Sequence, residues 1–202
     1  MKKPAFPRGR IKAVFFDVQG TLIDRDASWR QAFAEAVGEF AARWEDEAFS
    51  AEEAADRFLH ALASGGGMKR RRRTARNSRL AAMKTALSGA PFAVTPSFLD
   101  SLYRRTKTLV PRHPVPAPGV KDALARLSRR YRLGIISNSP RHRVMTTLSR
   151  AGLDGVFDGK SVFVPGGRLR GKPGKGLFLA ALAAFRVKPG EAVMVGDSWR
   201  KD

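Results

Sequence analysis

The sequence predicts an α/β protein: an open parallel sheet flanked by helices and interrupted by an inserted, all-helical segment. Three observations carry this. Short apolar runs at 14–16, 133–136 and 192–195 each end in polar residues, as buried parallel strands do at the sheet edge. From residue 120 onward strand-like and helix-like stretches alternate, the pattern of a doubly wound sheet. Between 27 and 107, by contrast, nothing reads as strand.

The first run, Val14-Phe15-Phe16-Asp17-Val18-Gln19-Gly20-Thr21-Leu22, ends in a carboxylate, a glycine and a hydroxyl. In an open α/β sheet, ligands bind beyond the carboxyl ends of the strands. That places Asp17 at the lip, with Gly20 permitting a tight turn and Thr21 offering a hydroxyl. An ordinary Asp-containing turn is the alternative this stretch leaves open. A helix follows over about 28–43, with Trp29, Phe33, Ala36, Val37, Phe40 and Trp44 along one face and Asp26 or Ser28 as its N-cap. Ser50 and Glu53 have capping-box spacing. The helix they open carries Ala54, Phe58, Leu59 and Leu62 inward and stops at Gly65-Gly66-Gly67. That triplet lacks the preceding strand and following Lys-Ser/Thr of a phosphate loop. Further helices are predicted over 79–87 and 96–107.

Pro111, Pro114, Pro116 and Pro118 then predict a stiff, extended connection. A helix over 120–130 leads into the second strand, which ends in Ser137-Asn138-Ser139. Pro140 opens the next helix at its first turn, and Gly152 ends it. A short strand at 161–164, a helix over 173–185 and the strand at 192–195 complete the alternation. The last strand ends in Gly196-Asp197-Ser198.

Composition narrows the function classes. The 202 residues, 43% of them hydrophobic, suffice for one sizeable domain or a core with a smaller lobe. There is no cysteine, which excludes disulfides and thiolate metal sites. No run approaches the ~20 apolar residues of a membrane span, and the first ten residues lack the apolar stretch of a secretory signal. A soluble cytoplasmic protein with no membrane partner is expected. The formal charge of +20 favours attraction of phosphate groups. Its densest block, Lys69 to Arg73 with Arg76 and Arg79, has no interleaved aromatics for stacking bases. Nucleic-acid binding is therefore not the expected main function.

Three strand ends and one lysine carry complementary chemistry. In a parallel sheet the carboxyl ends face one edge, so Asp17 to Thr21, Ser137 with Asn138, and Asp197 with Asp202 can converge. Lys172 precedes a helix in Gly171-Lys172-Pro173. A carboxylate can attack phosphorus as a nucleophile. Hydroxyl, amide and ammonium groups can hold phosphoryl oxygens. Two further carboxylates five apart can hold Mg²⁺, which prefers oxygen ligands.

In these residues the chain resembles the haloacid dehalogenase-like (HAD) hydrolase superfamily. FFDVQGTLID, IISNS, GKPGKGLF and VMVGDSWRKD stand for its four motifs, in order and over nearly the whole chain. The resemblance implies a Rossmann-like core of residues 1–25 and 109–202, and a mobile helical cap of residues 26–108. It implies that Asp17 is the nucleophile forming an aspartyl-phosphate and that Thr21 supports it. Ser137, with Asn138 beside it, would bind the phosphoryl group, and Lys172 would stabilise its charge. Asp17, Asp197, Asp202 and the main-chain carbonyl of Gln19 would hold Mg²⁺. The implied reaction is Mg²⁺-dependent hydrolysis of a small phosphorylated metabolite.

Two features depart from the family. Most of its phosphatases carry Asp, as general acid and base, where this chain has Gln19; a glutamine amide cannot donate a titrating proton. Dehalogenase or phosphonatase chemistry on the same scaffold is therefore a rival, as is a non-catalytic scaffold holding a polyanion. Phosphonatase chemistry would want a cap lysine, for which Lys69 and Lys84 qualify by location alone. The chain also stops at Asp202, directly after the fourth motif, where the family usually adds a strand and helix. The expectation is a fragment whose 192–195 strand lies at an open edge.

Other residues read more plainly. Asp24 is expected to cap the coming helix, and His60, His113 and His142 to sit at the surface. Trp29, Phe33 and Trp44 read as helix packing, and Arg141 and Arg143 as either anion-steering groups or a solvated helix start.

Overall fold

The computed structural model describes residues 10–42, 49–64 and 74–202. Trp44, the glycine triplet and the Lys69 to Arg73 block lie outside them. The chain divides into two compact units, one formed by residues through Asp24 and from Val115 to Asp202, the other by Arg25–Pro114.

The first unit is a Rossmann-like α/β core. Its four-stranded sheet has the order β5-β4-β1-β6 and consists of β1 (Ala13–Phe16), β4 (Arg132–Ile136), β5 (Val162–Phe163) and β6 (Ala192–Val195). All the pairings are parallel. The near-continuous apolar run of β1 follows from burial on both faces. Val14 and Phe16 enter a cluster with Leu133, Ile135, Leu124, Val144 and Leu148. Ala13 and Phe15 face the other way, with Ile136, Leu177, Ala181 and Phe185. Two-residue alternation thus feeds two cores, one under α5 (Val120–Ser128) and α6 (Arg141–Arg150), the other under α7 (Lys175–Ala184). At Gly134 a methyl would lie 2.8 Å from the Phe15 ring and 2.9 Å from that of Phe185, so a glycine lets both rings pack there.

The strand order sets the site. From β4 the chain moves outward to β5, then returns to place β6 on the opposite side of β1. This reversal makes the carboxyl end of β1 the topological switch point, where a crevice opens for ligands. Beyond β1, the Val18 carbonyl accepts the N–H groups of Leu22 (3.0 Å) and Ile23 (2.9 Å) and closes a tight turn. Gly20 sits in that turn at φ +89°. Strand β2 (Ile23–Asp24) follows and pairs antiparallel with β3 (Val115–Pro116).

The second unit holds α1 (Arg25–Ala41), α2 (Ala51–Ser64), α3 (Ala75–Ala86) and α4 (Pro96–Leu109); its described residues contain no strand. The helices share an apolar core in which Phe33 stacks on Phe58 at 4.7 Å and Trp29 on Tyr103 at 5.5 Å. Hydroxyl caps start α3 and α4, where Thr74 accepts from Asn77 N–H and Thr95 from Phe98 N–H. Ser50 does the same for Glu53 N–H at 3.2 Å, half of the expected capping box.

Several boundaries differ from the sequence reading. Helix α1 begins at Arg25, ahead of both cap candidates, so Asp26 lies in its first turn, where the helix dipole favours a carboxylate. Pro140 is the N-cap of α6 rather than its first residue. The proline-rich connection is not simply extended, because Val110–Arg112 forms a 3-10 turn that continues α4 and Val115–Pro116 pairs as β3. The helical unit consequently runs on to Pro114 instead of ending at 108. Val110 packs against its core, and His113 bonds Glu35 of α1. Strand β6 lies at the sheet edge, paired with β1. Among the described residues no helix is long and apolar enough to cross a membrane.

Candidate active site

Strand ends bring three carboxylates together. Asp17 follows β1, Asp197 follows β6, and Asp202 closes the turn after it. One carboxylate oxygen from each lies within 4.8 Å of the others. Backbone bonds fix the placement: Asp17 N–H donates to Val195 O at 2.9 Å, and Ser198 N–H donates to the Asp202 carboxylate at 3.0 Å. Two glycines make room. A methyl on Gly20 would stand 2.5 Å from the Asp197 carboxylate, and one on Gly196 would collide with Asp202.

Lys172 enters from the segment before α7, almost fully buried at 6% exposure. Its ammonium donates to Asp17 Oδ1 at 2.8 Å and also to Asp202 Oδ1. Burial pushes the Asp17 carboxyl above its ordinary pKa, and the bond and charge of Lys172 pull it part of the way back. Three carboxylates against one ammonium leave a formal excess of two negative charges (three minus one). An all-oxygen donor set with that excess fits a hard divalent cation such as Mg²⁺.

Asn138 holds the lysine in register. Its amide donates to Lys172 O at 3.0 Å and accepts from Lys172 N–H at 2.6 Å. Gly171 lies so close that an added methyl would meet the Asn138 carbonyl oxygen at 2.7 Å. Ser137, 2% exposed, accepts from Ser139 N–H at 3.2 Å. Thr21 sits on the turn after β1, and its buried hydroxyl has no hydrogen-bond partner. Gln19 is exposed on the same turn.

The family model of the haloacid dehalogenase-like hydrolases matches residues 11–202. The chain belongs to that family. It is a hydrolase of the HAD superfamily, on the family's Rossmann-like fold. No curated protein matches it in sequence, but solved structures do in fold. A subfamily IA HAD hydrolase from Geobacter sulfurreducens superposes with TM-score 0.56 at 22% identity, over 95% of this chain and 80% of that one. The HAD hydrolase YfnB from Bacillus subtilis, solved with magnesium bound, gives 0.55 at 18%, over 96% and 81%. A dehalogenase captured as an intermediate complex gives 0.51 at 20%, over 94% and 77%.

Other candidates of this HAD hydrolase lie outside the carboxylate cluster. Arg141 is no free anion-steering group, because its guanidinium donates to Val162 O at 2.7 Å and to Gly159 O, pinning the loop before β5. His142, Arg143, His60 and Lys84 are exposed. His113, expected at the surface, is half-buried and bonds Glu35. Asp24 belongs to β2 and directly precedes α1. Trp29 and Phe33 are core residues, and Arg79 lies over the Trp29 ring at 4.2 Å. The sequence reading missed the clamp of Asn138 on Lys172 and the packing of Gly20 and Gly196 against carboxylates. The one signal in the sequence for the glycine packing was a glycine near two of the polar strand ends, Gly20 after Asp17 and Gly196 before Asp197.

Proposed function

We propose that this HAD hydrolase is a phosphatase that uses Mg²⁺ to cleave a small phosphorylated metabolite through an aspartyl-phosphate on Asp17. The observation that carries the reading is Lys172, which bridges Asp17 and Asp202 while Asp197 completes the triad. Asp17 is the nucleophile; burial works against the charged form that attack on phosphorus needs, and the ion pair with Lys172 offsets part of that. Ser137, at the end of β4, and the ammonium of Lys172 receive the phosphoryl oxygens and offset the charge that builds on them. Asn138 acts at one remove, setting Lys172 through its backbone. Asp17, Asp197, Asp202 and the carbonyl of Gln19 would hold Mg²⁺, which supplies Lewis-acid neutralisation of phosphoryl charge when bound. The helical unit would serve as the cap that selects the substrate.

A carbon–halogen displacement on the same scaffold would use Asp17 but need no cation, which leaves Asp197 and Asp202 with none to hold. That favours the phosphatase reading over the dehalogenase one. The deciding experiment is a phosphate-ester screen with and without Mg²⁺. Turnover that needs the cation and disappears in Asp17→Asn is expected. Halide release without metal, or phosphatase turnover surviving Asp17→Asn, would overturn the reading.

A further inference from the structure

We propose that the substrates of this site are activated phosphates, acyl phosphates above all, and that phosphorylated Asp17 persists after each cleavage. The inference rests on the phosphatase reading and narrows it to a substrate class. It follows from the groups gathered at the site. Three are clustered carboxylates, and the ammonium of Lys172 is shared between Asp17 and Asp202. The Asn138 amide is bonded at both ends to the Lys172 backbone. The hydroxyls of Thr21 and Ser137 do not titrate near neutrality. Gln19, exposed on the turn two residues past Asp17, carries an amide, which has no proton to transfer near neutrality.

The bond changes show what such a site can cleave. In the first step an Asp17 oxygen forms a bond to phosphorus, and the bond from phosphorus to the leaving oxygen breaks, with its electron pair staying on that oxygen. An alkoxide, whose basicity is close to that of hydroxide (water's pKa is about 15.7), leaves poorly without a proton. A carboxylate, with a conjugate acid near roughly 4, or a phenolate, near about 10, departs as the anion. In the second step a water oxygen bonds to phosphorus and the Asp17 carboxylate is regenerated. The water's proton passes to the released phosphate or to solvent. With no base at position 19 this step is slow, so the aspartyl-phosphate accumulates. General acid–base groups contribute about 10²–10⁴-fold, which sets the scale of both effects.

The test uses the full chain with Mg²⁺, acetyl phosphate, a series of aryl phosphates of graded leaving-group pKa, and glycerol phosphate as the alkyl case. Phosphate release and the mass of the acid-quenched protein are both read. Acetyl phosphate should turn over at least about 10²-fold faster than glycerol phosphate and should add one phosphoryl group to the protein, lost in Asp17→Asn. Gln19→Asp should narrow that ratio and shorten the lifetime of the adduct. Comparable rates on alkyl and acyl phosphates, whether through His142 or another acid, would overturn the inference and leave the phosphatase reading standing. So would a ratio and adduct lifetime unmoved by Gln19→Asp. Neither turnover nor adduct from any donor would overturn both.

Discussion

Lys172 and Arg105 are both cations held by carboxylates, yet they work under opposite conditions. Lys172 is buried between Asp17 and Asp202 at the sheet edge. Arg105 of α4 meets Glu39 of α1 at the surface, its Nε donating to Glu39 Oε2 at 2.6 Å. In the helical unit, Arg30 with Asp56 and Glu52, and Arg76 with Asp100, repeat the surface pattern. Solvent screens such pairs, so their energies are small, and the apolar core beneath carries the stability. At the sheet edge desolvation makes each charge depend on its partner, so there the charges define both the site and its vulnerability.

Four perturbations sharpen the contrast. Phe33→Ala removes a fully buried ring stacked on Phe58 and should cost about 3–5 kcal/mol in chemical denaturation, the largest loss expected. Lys172→Met leaves the carboxylates facing one another without their ammonium. Stability should fall on the order of 3 kcal/mol, with turnover lost, and added Mg²⁺ should recover much of the melting temperature. No response to Mg²⁺ in the melt would remove the charge argument for the cation. Asn138→Ala deletes the clamp on the Lys172 backbone, at roughly 1 kcal/mol per hydrogen bond. If Asn138 only positions Lys172, kcat should fall with KM little changed; a selective rise in KM would make it a substrate contact instead.

Acid titration gives the smallest effect and the sharpest difference in sign. Arg105 holds Glu39 below the usual carboxylate range, so this pair's stabilisation is present above the unfolded carboxyl pKa and is lost as pH falls through the lower folded value. Asp17, raised by burial, behaves oppositely in the metal-free protein. The fold favours its protonated form, and that contribution is lost as pH rises through the folded value. Arg105→Ala should therefore lower the midpoint slightly at neutral pH and leave it unchanged at the acid end, removing part of the acid sensitivity. Asp17→Asn should ease the penalty on the neutral side. Denaturation midpoints across the acid range check both signs.

The strand ends were legible because a parallel strand buried on both faces must be apolar throughout, so the first polar residue marks its exit. Asp17, Ser137 and Asp197 stood out for that reason. Lys172 was legible through its motif, but its register was not, since Asn138 reaches it from beyond the end of β4. The start of α1 and the path after α4 were misread because local capping and proline signals were outweighed by tertiary pairing: β2 with β3, and His113 with Glu35. Arg141 looked free for anions until the fold offered its guanidinium two backbone carbonyls.

By itself, then, the sequence determined the layered α/β architecture, the helical insertion and the chemical groups available, because periodicity and residue type are local properties. Only the tertiary structure decided that these groups meet. Parallel strands point their carboxyl ends one way, the order β5-β4-β1-β6 puts Asp17 between its partners, and bare glycines let the carboxylates approach. Proximity between residues so distant in the chain is a property of topology, which no local pattern encodes.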